Sequence, residues 1–203
     1  MLLSYSTING IKNCHYFWIC KTQELDTIDF SFFEKGKKIH RQIQDHVSGR
    51  VIDDSLTERG LDPNKWYFPI VEEMDRDPNC HFEFEVDGHK IHGYFDGLKP
   101  EEALLEIKSG TYSPRDFMRS YQRKIYALAL NVPRSVLIYS KDEFSKISTT
   151  IIQNTEKDKE EALKWIREGI NIIKSGDFEP KKDRDCFRCI FRDSCDRSLN
   201  ARN

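Results

Sequence analysis

The 203-residue sequence predicts an α/β fold, a mixed central sheet flanked by helices. Three observations predict it. Long segments with apolar residues at helical spacing alternate with short segments of period two, in the order helix, three strands, helix, two strands, helix. Asp87-Gly88 joins two alternating runs and marks a tight hairpin. With 38% apolar and 33% charged residues, the chain has the composition of a globular domain with a real core, not of a disordered one.

Each element has a local cause. Residues 1–25 are aromatic-rich and carry Cys14 and Cys20. Met1 to Ser6 lacks a basic stretch followed by a long apolar one, so no signal peptide is read. No apolar run reaches membrane-spanning length, and a cytoplasmic location is expected. Residues 29–47 predict a helix, because Phe32, Gly36, Ile39, Ile43 and Val47 share one face. Residues 48–79 mix Gly, Pro and charge and read as loops and short helices. Residues 81–95 form the hairpin, with Phe82, Phe84 and Val86 alternating with Glu83, Glu85 and Asp87. A third strand spans Ala103 to Lys108. Ser113-Pro114 opens a helix that runs to about Asn131, since Pro133 bars its continuation. Ser135 to Ser140 and Ser145 to Gln153 read as strands. Thr155 caps a long helix that Gly176 ends. The charged tail 177–203 is too short for a core of its own. The expectation is one domain over 1–203, with segments 1–25 and 177–203 meeting in a small cysteine module.

Two constellations carry chemistry. Asp96 closes the hairpin in Gly93-Tyr94-Phe95-Asp96-Gly97, and Glu106-Ile107-Lys108 lies in the next strand. Alternation puts Glu106 and Lys108 on one face. If Asp96 ends the neighbouring strand, both carboxylates converge on one hard cation. The Ile107 carbonyl offers a further oxygen. His40 stands one helical turn after Gly36, and Gln122 and Tyr126 stand one turn apart on the helix after the acidic strand.

The second constellation is sulfur. Six cysteines without a secretory signal argue for metal ligation rather than disulfides. Cys186, Cys189 and Cys195 are three thiols of one candidate set, and Cys14, Cys20 and Cys80 are available as the fourth. Cys80 precedes a strand and reads as a small core residue. Iron–sulfur and zinc suit four cysteinates equally well, and spacing does not separate them.

Taken in order, Gly36 to His40, Gly93 to Asp96, Glu106 to Lys108 and Gln122 to Tyr126 resemble the RecB-like pattern of PD-(D/E)XK nucleases, with their restriction-endonuclease-like core. The resemblance implies that His40, Asp96 and Glu106, with Ile107, hold magnesium or manganese. It implies that Lys108 is catalytic and that Gln122 and Tyr126 support the site. Tyr16-Phe17-Trp18-Ile19-Cys20 is similar to the N-terminal segment of the iron–sulfur class of these nucleases. That likeness implies Cys20, Cys186, Cys189 and Cys195 as ligands of a 4Fe-4S cluster, with Cys14 as the competitor and zinc as the alternative metal. A clasp of that kind would restrict the unfolded chain, by analogy with a long-loop disulfide worth about 4–5 kcal/mol.

Size and motif arrangement most resemble the CRISPR-associated exonucleases of the Cas-four family. That resemblance implies a single-stranded or overhanging DNA substrate and the trimming of spacer precursors. It also implies the Cas-one integrase and the Cas-two protein as partners. A recombination or repair nuclease of viral or host origin, a silent DNA-binding module and a zinc-stapled interaction protein are the competing readings. A net charge of −2 means that DNA contacts must come from local clusters. The candidates are Lys35, Lys37, Lys38 and Arg41, and Arg115, Arg119, Arg123 and Lys124. Trp66-Tyr67-Phe68 and Tyr16-Phe17-Trp18 are read as core packing in preference to base stacking. No phosphate-binding loop, helicase motif, dinucleotide fingerprint or hydrolase triad is present.

Overall fold

A computed structural model describes residues 1–27, 34–47, 49–51, 53–61, 80–110, 113–142, 144–180 and 189–196. The expectations for Phe32, for 66–68 and for Cys186 lie outside them. In chain order the elements are β1 (Leu2–Ser4), α1 (Tyr5–Asn13), α2 (Phe17–Thr22), α3 (Glu34–Val47), α4 (Asp54–Glu58), β2 (His81–Val86), β3 (His89–Tyr94), β4 (Gly97–Lys99), β5 (Ala103–Ser109), α5 (Pro114–Arg119), α6 (Tyr121–Leu130), β6 (Arg134–Ser140), β7 (Ser148–Gln153) and α7 (Glu156–Ser175). The strands form two sheets, ordered β1-β3-β2 and β4-β5-β6-β7. The second is mixed: β5 and β6 run parallel, and β4 and β7 flank them antiparallel. Among the described residues, no helix is long and apolar enough to cross a membrane.

The chain divides into two compact units. One comprises Met1–Ser31, Glu85–Ile91 and Leu163–Asn203; the other comprises Phe32–Phe84 and His92–Ala162.

In the second unit, β5 is buried on both faces, as expected of a strand between helical layers. Ala103, Leu105 and Ile107 join Ile39, Ile43 and Val47 of α3 and Val136 and Ile138 of β6 in one apolar cluster. Each valine, leucine or isoleucine among them, removed from water, contributes about 1.5–3 kcal/mol. The helical stripe read from the sequence is therefore what fixes α3 on the sheet. The opposite alternation of β5, Leu104, Glu106 and Lys108, faces the other way. Arg59 lashes the β6–β7 connection through Ser140 Oγ, the Asp142 carbonyl and the Ser145 carbonyl at 2.7–2.9 Å.

In the first unit, α1 and α7 approach closely at Gly169, where a Cβ would lie 2.4 Å from Ile8. Tyr5 stacks on Trp165 at 5.5 Å, and Lys12 pairs with Glu168. Phe17 is half-buried, fits against Gly10 and tilts on Phe191 of the tail at 5.1 Å.

Three expectations need correcting. The helix over 113–131 is two helices. Ser120 sits extended between them, and its hydroxyl accepts the Gln122 amide as the N-cap of α6. The strand beside Glu106 is not the hairpin strand but the short β4, which the sequence reading does not contain. Residues 1–25 hold a strand and two helices where only aromatic richness was noted. The hairpin itself is as read, with Asp87 and Gly88 both at positive φ, which a two-residue type I′ connection requires.

Candidate active site

Four elements of the second unit bring the acidic constellation together. β4 pairs Gly97 with Leu105, so Asp96, one step before it, stands beside Glu106 and Ile107. Asp96 Oδ2 accepts the Ile107 amide at 2.7 Å, which locks the carboxylate to the strand that carries Glu106 and Lys108. His40 Nε2 of α3 lies 3.1 Å from Asp96 Oδ1. Lys108 Nζ lies 2.8 Å from Glu106 Oε2, as expected for two side chains on one face of a strand. From α6, Gln122 Nε2 reaches Tyr126 Oη at 3.3 Å and Glu106 Oε1 at 3.5 Å, the latter at the limit of a hydrogen bond.

Two glycines explain their own places in the pattern. A Cβ at Gly93 would lie 2.6 Å from the Phe82 ring and 3.0 Å from Tyr126, so only glycine admits both rings. Phe82 and Tyr126 then meet edge to face at 4.8 Å. A Cβ at Gly36 would lie 3.0 Å from Ser109 Oγ, which donates to the Gly36 carbonyl and ties the helix of His40 to the end of β5. Phe82 and Ser109 were not singled out from the sequence. No motif marks them, and only the two glycines hint that something must approach.

The electrostatics follow from burial. Glu106 is 1% exposed. Burial pushes its carboxyl up to about 7, against the pull of Lys108 and with a further push from the Asp96 charge. Asp96 behaves in the opposite way. Burial would raise it, but the hydrogen bond and charge of His40, with Lys108 and the Ile107 amide, hold it below the usual carboxylate range. Burial lowers the pKa of Lys108, yet the charges of Glu106 and Asp96 outweigh it and keep the ammonium protonated. His40 is likewise raised, its burial overcome by Asp96. Burial, then the Glu106 charge, raises Tyr126, so its hydroxyl stays neutral.

Among the described residues, no three His, Cys, Asp or Glu side chains are drawn around a common point as ligands of a metal would be. The donors nevertheless suit a hard cation. They are carboxylate oxygens, and Glu106 Oε2 is buried with no hydrogen bond of good geometry, only the Lys108 charge beside it.

Two basic residues leave the list of DNA contacts. Arg123 is 2% exposed and donates to Asn154 Oδ1 at 2.5 Å and Asp158 Oδ1 at 2.9 Å. Lys124 pairs with Glu161 and Asp158. Both tie α6 to the start of α7. Arg115 and Arg119 are exposed, as are Lys35, Lys37, Lys38 and Arg41, with Lys37 paired to Glu34.

The first unit holds a cavity of about 490 Å³ whose lining includes Cys14, Cys20, Cys189 and Cys195. Burial, a hydrogen bond with Cys195 and the neighbouring thiols push Cys20 up to about 12. Cys80 is elsewhere and buried, as a core residue should be.

The model of a family described as the PD-(D/E)XK nuclease superfamily matches residues 68–196. No curated protein matches the chain significantly in sequence. Among solved structures, a protein from Eubacterium rectale proposed as an exonuclease is similar over 95% of this chain and 87% of its own, at 14% identity and a TM-score of 0.59. That similarity extends the shared fold to nearly the whole chain. An alkaline exonuclease from Laribacter hongkongensis aligns over 85% of this chain and 90% of its own, at 12% identity and a TM-score of 0.44. A protein named SSO0001 aligns over 59% of this chain and 58% of its own length, under two thirds, at 21% identity and a TM-score of 0.41.

Proposed function

The chain belongs to the PD-(D/E)XK nuclease superfamily, and on that premise we propose that it is a divalent-metal-dependent deoxyribonuclease whose centre is built from His40, Asp96, Glu106 and Lys108. The observation that carries the reading is the hydrogen bond from the Ile107 amide to Asp96, which holds one carboxylate beside the Glu106–Lys108 pair. His40, Asp96, Glu106 and the Ile107 carbonyl would hold magnesium or manganese. The cation supplies Lewis acidity at the scissile phosphate. Lys108, kept protonated by its two carboxylate neighbours, sets a positive charge against the phosphate oxygens. Gln122 orients Glu106, and Tyr126 holds Gln122.

The structural neighbour proposed as an exonuclease supports digestion from an end, and single-stranded or overhanging DNA is the substrate the motif resemblance implies. Trimming of spacer precursors with the Cas-one integrase and the Cas-two protein rests on the motif resemblance alone. The cysteines are proposed as a second centre, with Cys20, Cys186, Cys189 and Cys195 holding a 4Fe-4S cluster or zinc. Three of these, with Cys14, line one cavity. A thiol pushed up by burial is poorly placed to ionise, and a bound cation reverses that cost.

The test is digestion of end-labelled single- and double-stranded DNA with and without manganese. Manganese-dependent release of label by the wild type, with none by Glu106→Ala, is expected. Equal cleavage by the two proteins overturns the assignment.

A further inference from the structure

We propose that Tyr94, backed by His81 and His92, is a base-stacking surface for the nucleotide next to the scissile phosphate of a single-stranded substrate. The proposal rests on the nuclease reading above and deepens it.

The three rings form a cluster. Tyr94 lies 4.9 Å from His81 and 6.3 Å from His92, and the two imidazoles are 5.7 Å apart. Their direction is fixed by Gly93, whose Cα faces the Phe82 and Tyr126 rings. Alternation turns His92 and Tyr94 to the opposite, outer side of β3. A cross-strand aromatic pair stabilises a hairpin without help. It does not require a large ring to stand in water, yet Tyr94 remains 54% exposed. The imidazoles beside it are half-buried. A tyrosine has only two side-chain torsions and loses little entropy when a base stacks on it, and every base offers a face.

Position selects the occupant. Tyr94 is two residues before Asp96, so their Cα atoms are at most about 7 Å apart. The ring stands on the outer face of β3, away from Tyr126, so a base flanking a phosphate at Asp96 would reach it past the end of the strand that leads to Asp96. Bases in a duplex are already stacked, so this surface favours unpaired ones.

The experiment measures binding of a short fluorescent single-stranded oligonucleotide in EDTA, where nothing is cut. An abasic strand of equal length serves as the comparison. Tyr94→Ala is expected to weaken binding of the ordinary strand about 5- to 150-fold and to leave the abasic strand unchanged. Tyr94→Phe keeps the ring and restores the difference. Unchanged binding of the ordinary strand by Tyr94→Ala overturns the proposal. So does an equal loss for both strands, which marks a distorted site, or binding that Tyr94→Phe fails to restore. Cleavage of the abasic strand, which offers no ring to stack beside its phosphates, separates this inference from the one beneath it. With manganese, wild type and Tyr94→Ala should cleave it alike. No cleavage by the wild type would refute the nuclease reading, while the stacking result would still be read from the EDTA titration.

Discussion

The carboxylate site and the cysteine cavity solve the problem of buried titratable groups differently. At the first, the charges have counterparts supplied by the protein, His40 and the Ile107 amide on Asp96 and Lys108 on Glu106, although burial still raises Glu106. Arg123 and Asp158 repeat the pattern on the neighbouring helices. At the second, Cys20 is surrounded by other thiols, and its environment drives it toward the neutral form. The lesson concerns preorganisation. A site whose charges are balanced internally keeps its geometry without a ligand and needs only an exchange of partners to accept one. A site of gathered, buried thiols favours the neutral form of Cys20 until a cation arrives.

Substitutions can break this contrast. The largest effect is expected at Lys108. Lys108→Ala should lower the cleavage rate about 10²- to 10³-fold, measured in single-turnover digestion, while the circular dichroism spectrum stays unchanged. A loss below threefold would show that its charge does not face the reaction.

Next comes Arg123. Arg123→Ala leaves Asp158 with Lys124 and the Thr155 hydrogen bonds and should cost about 3 kcal/mol in urea unfolding, the low end for a broken buried pair, since one cation remains. The pH dependence follows from the same pair. Burial alone would raise Asp158, but the Arg123 hydrogen bond and the Thr155 amide hold it below its ordinary value. A depressed carboxylate contributes stability above its unfolded pKa, and that contribution is lost as pH falls through the folded value. The stability gap between wild type and Asp158→Asn should therefore be constant above about pH 4 and shrink below it. A gap that widens on acidification would contradict the pairing.

Gly93→Ala should cost about 1–3 kcal/mol, because a Cβ there intrudes on the buried rings of Phe82 and Tyr126. Its cleavage rate should fall as well, as Tyr126 is displaced from Gln122. The smallest effect is expected on the other side of the comparison. In metal-free protein, Cys20→Ala should change stability by less than about 1 kcal/mol, since the thiol there has no charge partner to lose. In anaerobically purified protein the same substitution should abolish absorbance in the iron–sulfur charge-transfer region. Wild-type protein containing zinc and lacking that absorbance would replace the cluster with the alternative metal.

Much of this was legible in the sequence. The helical stripe of α3, the Asp87-Gly88 turn and the same-face placement of Glu106 and Lys108 follow from periodicity alone. The ordered glycines, acids and lysine named the superfamily that the residue match identifies. Other features were hidden for physical reasons. β4 has three residues, one of them glycine, too few for alternation to register, yet it is the element that sets Asp96 beside Glu106. Ser120 reads as a tolerable helix residue, and only its capping of Gln122 reveals the break. Arg123 looks like a surface cation. Its burial depends on Asn154 and Asp158, about thirty positions away, which no local pattern connects. Tyr94 reads as an ordinary strand aromatic, and its exposure appears only once Gly93 fixes which face is inward.

The central claim is that Asp96 and Glu106 converge on one cation, and calorimetric titration of manganese tests it most directly. Wild-type protein should bind the ion in this site, and Asp96→Asn and Glu106→Gln should each lose that binding while melting within a few degrees of wild type. Manganese binding by both variants with unchanged affinity would contradict the account.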